Sequence, residues 1–191
     1  MFNVDELQLK FLGDPMLASP PPLFDFEKDG EHAQELADVL HKKMVQLGGV
    51  GLSANQVGLP FRVFVFGNEE KYIALFNPFM LGVSKETVAM EEACLSIPGF
   101  SLVLTRPKQV MVNFYNEKGE EKTGTFSDVG ARIVLHEFDH MEGMNFTQHA
   151  SPMKFKMAMK RWKKKRNKTL MKQLQMANAN TLTEKMVPNG N

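Results

Sequence analysis

Residues 135–146 read "LHEFDHMEGMNF" and contain His136-Glu137-x-x-His140. Ser127-Asp128 is a good N-cap ahead of "VGARIVLHEFDHME", and Gly143 a good stop, so the stretch is predicted to lie on a helix. Residues four apart on a helix share one face. His136 and His140 can therefore turn their rings toward one ion, with Glu137 beside it. The competing reading, two satisfied histidines on an ordinary helix, stays open for the bare pattern.

A hydrolytic metal site wants three protein ligands and one open position. Metzincin proteases place a third His three residues after the glycine, but that position holds Phe146. Thermolysin-like proteases use a later Glu; the one acid after Glu142 is Glu184, in the terminal tail. The third ligand is thus expected upstream. Cys94, the single cysteine, is the candidate. A lone cysteine is usually a small buried hydrophobe. Here Glu91-Glu92 precede it and Ser96 and Pro98-Gly99 follow, a polar and irregular setting. A thiolate needs a nearby cation at neutral pH, and a metal supplies one.

The chain of 191 residues, 43% hydrophobic, can bury a proper core. One cysteine excludes an internal disulfide, and no apolar run reaches the roughly 18 residues of a membrane span. The N-terminus lacks the texture of a signal or transit peptide, so the chain is expected to be cytoplasmic, with no membrane partner. Net charge is +1, but residues 1–150 hold 12 Lys/Arg and 21 Asp/Glu, whereas 151–191 hold 11 and 1. That divides the chain into an acidic body, 1–150, and a basic C-terminal helix and tail, 151–191.

Within the body, "DPMLASPPPLFDFEKDG" (14–30) reads as a proline-rich loop. Ala33, Leu36, Ala37, Leu40, Met44 and Leu47 recur at helical spacing, and Gly48-Gly49 ends that helix. Residues 61–66, 71–76, 100–105 and 109–115 read as strands, with a turn at Asn116 to Gly119 leading to "KTGTF". In the tail, Phe155, Met159, Trp162, Leu170 and Leu174 lie near helical spacing among lysines and arginines.

Three segments together resemble the signature motifs of peptide deformylases, in order: "GVGLSANQ" (49–56), "EACLS" (92–96) and "LHEFDHMEG" (135–143). The resemblance covers roughly residues 1–150 and implies a hydrolase of N-terminal methionine processing in protein biosynthesis. Its substrates would be N-formylmethionyl nascent peptides, and its product formate. The implied fold is α+β, short mostly antiparallel sheets around a central metal-binding helix. Cys94, His136 and His140 would hold one divalent ion, Fe²⁺ natively, with Zn²⁺, Ni²⁺ or Co²⁺ possible in isolated protein. Glu137 would move the proton of the attacking water. By resemblance the Gln56 amide and the Leu95 backbone N–H stabilise the oxyanion. Val50, Gly51 and Ala93 would bind the peptide through backbone, as an added strand. Val129 and Ile133 are expected to line the methionine pocket, and Glu92 and Arg106 to form a supporting ion pair around Cys94 and Gln56.

The chain departs from the motifs at Ser53 and Ala93, where Ala and Gly are usual, and at Leu135 and Met141. Ser53 reads as small-for-small. Ala93 would be strained if its backbone needed positive φ, and otherwise would narrow the groove. The basic run Lys160, Arg161, Lys163, Lys164, Lys165 and Arg166 reads either as a solvated helix face or as a contact for ribosomal RNA phosphates. An HExxH zinc endopeptidase and a non-catalytic RNA-binding relative are the rival functions.

Overall fold

The computed structural model describes residues 2–166. The chain divides after Ala150. The first unit carries helix α1 (Phe26–Asp29), α2 (Ala33–Gln46) and α3 (Asp128–Met141). Its strands are β1 (Gly51–Ser53), β2 (Val63–Gly67), β3 (Tyr72–Val83), β4 (Thr87–Ala93), β5 (Ser101–Pro107), β6 (Gln109–Tyr115) and β7 (Glu121–Ser127). Five strands form one sheet in the order β1-β2-β3-β6-β7, and β4-β5 form a second; every pairing is antiparallel. The fold is α+β.

The large sheet has a helix on each face, which explains the nearly unbroken apolar text of β2. Val63 and Val65 pack with Leu36, Leu40 and Met44 of α2. Phe64 and Phe66 turn the other way, toward Ala131, Val134 and Leu135 of α3. A strand buried on both faces has no polar side to alternate with.

Two strands depart most from their sequence reading. β3 continues seven residues beyond Phe76, through a register shift at Asn77 (φ +50) and Pro78. Pro78 reads as a strand end, but the shift takes it out of the ladder. β4 was not expected at all. Its inward side carries Val88, Met90 and then Glu92, so a carboxylate occupies a core position and the apolar alternation is lost. Cys94 follows directly after β4, so Glu91 and Glu92 belong to a strand and only the residues after Ala93 are irregular. Ala93 is extended; among the described residues the non-glycine ones with positive φ are Asn77 and Asp128, which leaves its methyl as the consequence of that substitution.

The loop 14–30 also contains two short helical turns: a 3₁₀ turn at Pro15–Leu17, where Asp14 accepts from the Met16 N–H, and α1, where the Asp25 carboxylate accepts from the Glu27 and Lys28 N–H groups. At α3 the expected cap is only positional: Ser127 is extended there, yet its side chain makes no capping bond. The stop is as expected. Gly143 has φ +67, and a Cβ there would lie 2.6 Å from the Ser19 backbone.

In the second unit, residues 152–166 are helical, with Phe155, Ala158, Met159 and Trp162 the least exposed and the basic residues outward. Arg166 stacks its guanidinium 4.8 Å from the Trp162 ring. Leu170 and Leu174 fall outside the described residues. Among those described, no helix is long and apolar enough to cross a membrane.

Candidate metal centre

Helix α3 places His136 and His140 one turn apart, and the end of β4 brings Cys94 against them. Their ligand atoms all lie within 4.8 Å of one another. Cys94 Sγ is 3.3 Å from His140 Nε2. Phe146, where a metzincin would offer its third ligand, is fully buried and packs its ring 5.5 Å from that of His136.

The residues fit a divalent ion. A thiolate with two imidazoles suits borderline metals. Glu92 Oε2 lies 3.2 Å from His136 Nδ1, which assigns the proton to Nδ1 and leaves Nε2 free to ligate. In the metal-free protein, burial disfavours a charged His136. Its hydrogen bonds to Cys94 and Glu92 and the charge of Glu137 outweigh burial and lift it to about 10. A cation meets that same negative field. His140 behaves oppositely: burial and the neighbouring His136 push it down to about 3, so its imidazole is already neutral.

Glu92 is the centre of the support. Arg106 grips it with two bonds of 2.7 Å, and Arg132 adds a third to Oε1. Burial pushes the Glu92 carboxyl up, but His136, Arg106 and Arg132 together hold it at about 2. Arg106 also reaches Asp139 at 2.8 Å, and Asp139 in turn meets His149 at 3.0 Å. The expected Glu92–Arg106 pair therefore exists, but it steadies His136 rather than Cys94 and Gln56. Arg132 escaped the sequence reading, although it stands one turn before His136 on the same face. Asp139 sat within the quoted motif without a role.

Gln56 is held by a different device. Its Oε1 accepts from the Ser53 N–H at 3.0 Å, so its Nε2 must face the centre. That nitrogen lies 3.0 Å from Ser96 Oγ and 3.4 Å from Cys94 Sγ. Glu137 is almost fully buried, and burial pushes its carboxyl up from the usual range, against the opposing pull of His136 and Ser53. A carboxyl raised from its usual range is suited to take and return a proton.

A groove of about 650 Å³ opens onto Cys94, His136, Glu137 and Gln56. Val50 and Gly51 form one wall and Ala93 and Leu95 the other, while Val129 and Ile133 close a side. Each wall is the end strand of its sheet: β1 pairs only with β2, and β4 only with β5. The groove thus runs between two open strand edges. Packing alone requires glycine at Gly51, because a Cβ would lie 2.5 Å from Glu137 Oε1 and 2.9 Å from Ile133. Its bareness seats the acid.

A centre built this way, with a buried acid beside three side chains that could hold a metal and a strand-edged groove before them, fits a metallohydrolase. Residues 8–156 match the family described as polypeptide deformylase. Peptide deformylase of Bartonella bacilliformis is 33% identical over 167 residues, 79% of this chain and 92% of its own length. A plant peptide deformylase crystal structure superposes with a TM-score of 0.78 at 30% identity, covering 90% of this chain and 95% of its own. The Acinetobacter baumannii peptide deformylase, solved with Met-Ala-Ser bound, gives 0.71 at 28%, covering 75% and 98%. This chain belongs to the polypeptide deformylase family. It is an enzyme that removes the formyl group from nascent peptides, and its family is metal-dependent. The endopeptidase and non-catalytic readings are not favoured.

Proposed function

We propose that the formylated N-terminus of the nascent chain lies in the groove as a strand between β1 and β4, with its formyl carbon beside Glu137. The observation that carries this is the pair of open strand edges converging on Cys94, His136 and Glu137. Backbone groups of Val50, Gly51 and Ala93 take the peptide by strand addition, and Val129 and Ile133 receive the methionine side chain. The Met-Ala-Ser held by the Acinetobacter baumannii relative is the peptide such a reaction would leave.

A divalent ion held by Cys94, His136 and His140 would supply Lewis acidity and make water a nucleophile near neutral pH. Glu137 accepts the proton of the attacking water and returns it to the departing amine. Negative charge growing on the formyl oxygen meets the Gln56 amide and the Leu95 N–H, both at the groove. Glu92 and Arg106, with Arg132, keep the His136 ring aimed. The native ion is Fe²⁺, replaceable by Zn²⁺, Ni²⁺ or Co²⁺, and the enzyme works in the cytoplasm.

The test is formate release from formyl-Met-Ala-Ser by protein loaded with each ion. Glu137→Ala is expected to lower kcat by about 10²–10⁴. Equal formate from the variant would refute the role of Glu137.

The exposed Lys160, Arg161, Lys163, Lys164, Lys165 and Arg166 are read as a contact for ribosomal RNA, which would hold the enzyme near emerging chains. Lys160→Glu with Lys163→Glu and Lys164→Glu should weaken salt-sensitive co-sedimentation with ribosomes. Unchanged binding would remove the contact from the scheme.

A further inference from the structure

β1 is only three residues long, and its alternate side chains face opposite ways. Leu52 turns to the α2 side and joins that core. Gly51 and Ser53 share the other face, where Glu137 stands. Gly51 leaves the space that Glu137 Oε1 occupies. Ser53, fully buried, donates its hydroxyl to Glu137 Oε2 at 2.6 Å. Among the described residues, no other side chain hydrogen-bonds that carboxylate. The same residue's backbone N–H holds Gln56 Oε1 at 3.0 Å.

One residue therefore touches both side chains assigned to proton transfer and charge stabilisation, from opposite ends of its own atoms. We infer that Ser53 is a positioning residue for deformylation: its hydroxyl locks the Glu137 carboxylate against Gly51, while its N–H turns the Gln56 amide toward the formyl oxygen. This rests on the proposed roles of Glu137 and Gln56. The exchange of Ala for Ser in the first motif is then a change of chemistry as well as of volume. A carboxylate without that donor could rotate away from the water it must deprotonate, and a small misplacement of a reacting group costs much rate. The N–H arm survives any side-chain substitution, so Ser53→Ala removes only what the hydroxyl touches, Glu137 and the Gln56 backbone N–H.

The experiment measures kcat and KM for formyl-Met-Ala-Ser, thermal midpoint and bound metal for Ser53→Ala, Ser53→Thr and Glu137→Gln. For Ser53→Ala, kcat is expected to fall about tenfold to a hundredfold, with KM and metal content unchanged and the midpoint lowered only by the loss of one buried hydrogen bond. Ser53→Thr keeps the hydroxyl and should recover most of the lost kcat. Wild-type kcat in a folded Ser53→Ala protein would overturn the inference. So would a loss that follows the thermal midpoint or metal content and that Thr does not restore. If Ser53→Thr does not fold, kcat of folded, metal-loaded Ser53→Ala decides alone. An inactive Glu137→Gln beside a fully active Ser53→Ala removes only this inference, whereas a fully active Glu137→Gln removes the underlying mechanism as well.

Discussion

His136 and His140 stand one turn apart on α3 and turn toward the same point, yet their surroundings have little in common. His136 faces the β4–β5 sheet, where Glu92 bonds Arg106 and Arg132, and Arg106 bonds Asp139 in turn. His140 borders a cavity of about 290 Å³ lined by Leu12, Leu17 and Ile97, by the uncharged polar Ser96, Asn145 and Gln148, and by Asp14; no charged group bonds its ring, and its Nδ1 has no partner among the described residues. One imidazole is aimed and made basic by buried charge. The other is held by packing and is neutral without assistance. The centre is thus organised electrostatically from the β4–β5 side and sterically from the other.

Breaking the polar side should cost most. Glu92→Gln leaves Arg106 and Arg132 buried beside a neutral amide, a loss of about 3–5 kcal/mol, measurable by denaturant unfolding. Metal affinity in a chelator competition should fall about 10–100-fold.

Acidity and alkalinity act on the same side with opposite signs. Glu92 is depressed from 4.5 to about 2, so its contribution is complete above 4.5 and lost as pH falls toward 2. The thermal midpoint should drop across that window. His136 in the metal-free protein is raised from 6.5 to about 10, so its contribution is complete below 6.5 and lost as pH rises through 10. Metal affinity should move the other way, tightening by about tenfold per pH unit as the ion displaces that proton. An affinity flat between about pH 7 and 9 would show that His136 is not cationic before metal binds.

The steric side should respond less. Asn55 donates to the His140 carbonyl at 2.9 Å, while its own Oδ1 is buried without a partner among the described residues. Asn55→Ala should therefore cost only about 1 kcal/mol, with metal affinity changed less than the Glu92 substitution changes it. The smallest effect belongs to His149, whose side chain is 38% exposed beside Asp139. His149→Ala should cost below about 1 kcal/mol, and a larger loss would extend the polar network to the surface.

Much of this was readable from residue spacing. The periods of α2 and α3 were visible, as were β2, β5 and β6 to within two residues, because one or two buried faces repeat regularly along each. β4 was illegible because Glu92 takes a core position, and Arg106 does the same on β5. Those two interruptions are the support of His136, so the places where the pattern failed were functional ones. Ser53 looked like a neutral exchange, since nothing in its neighbours along the chain names a partner on α3.

By itself the sequence determined the helix that carries His136, Glu137 and His140, and the motifs that set Cys94 and Gln56 beside them. Local periodicity and turn chemistry act over a few residues, and that range suffices for such elements. Only the tertiary structure decided which carboxylate aims His136, which hydroxyl holds Glu137, and why Gly51 must be bare. Those contacts join β1, β4, β5 and α3 through burial. There an unpaired charge is costly, so each buried acid must find its partner across the fold rather than along the chain.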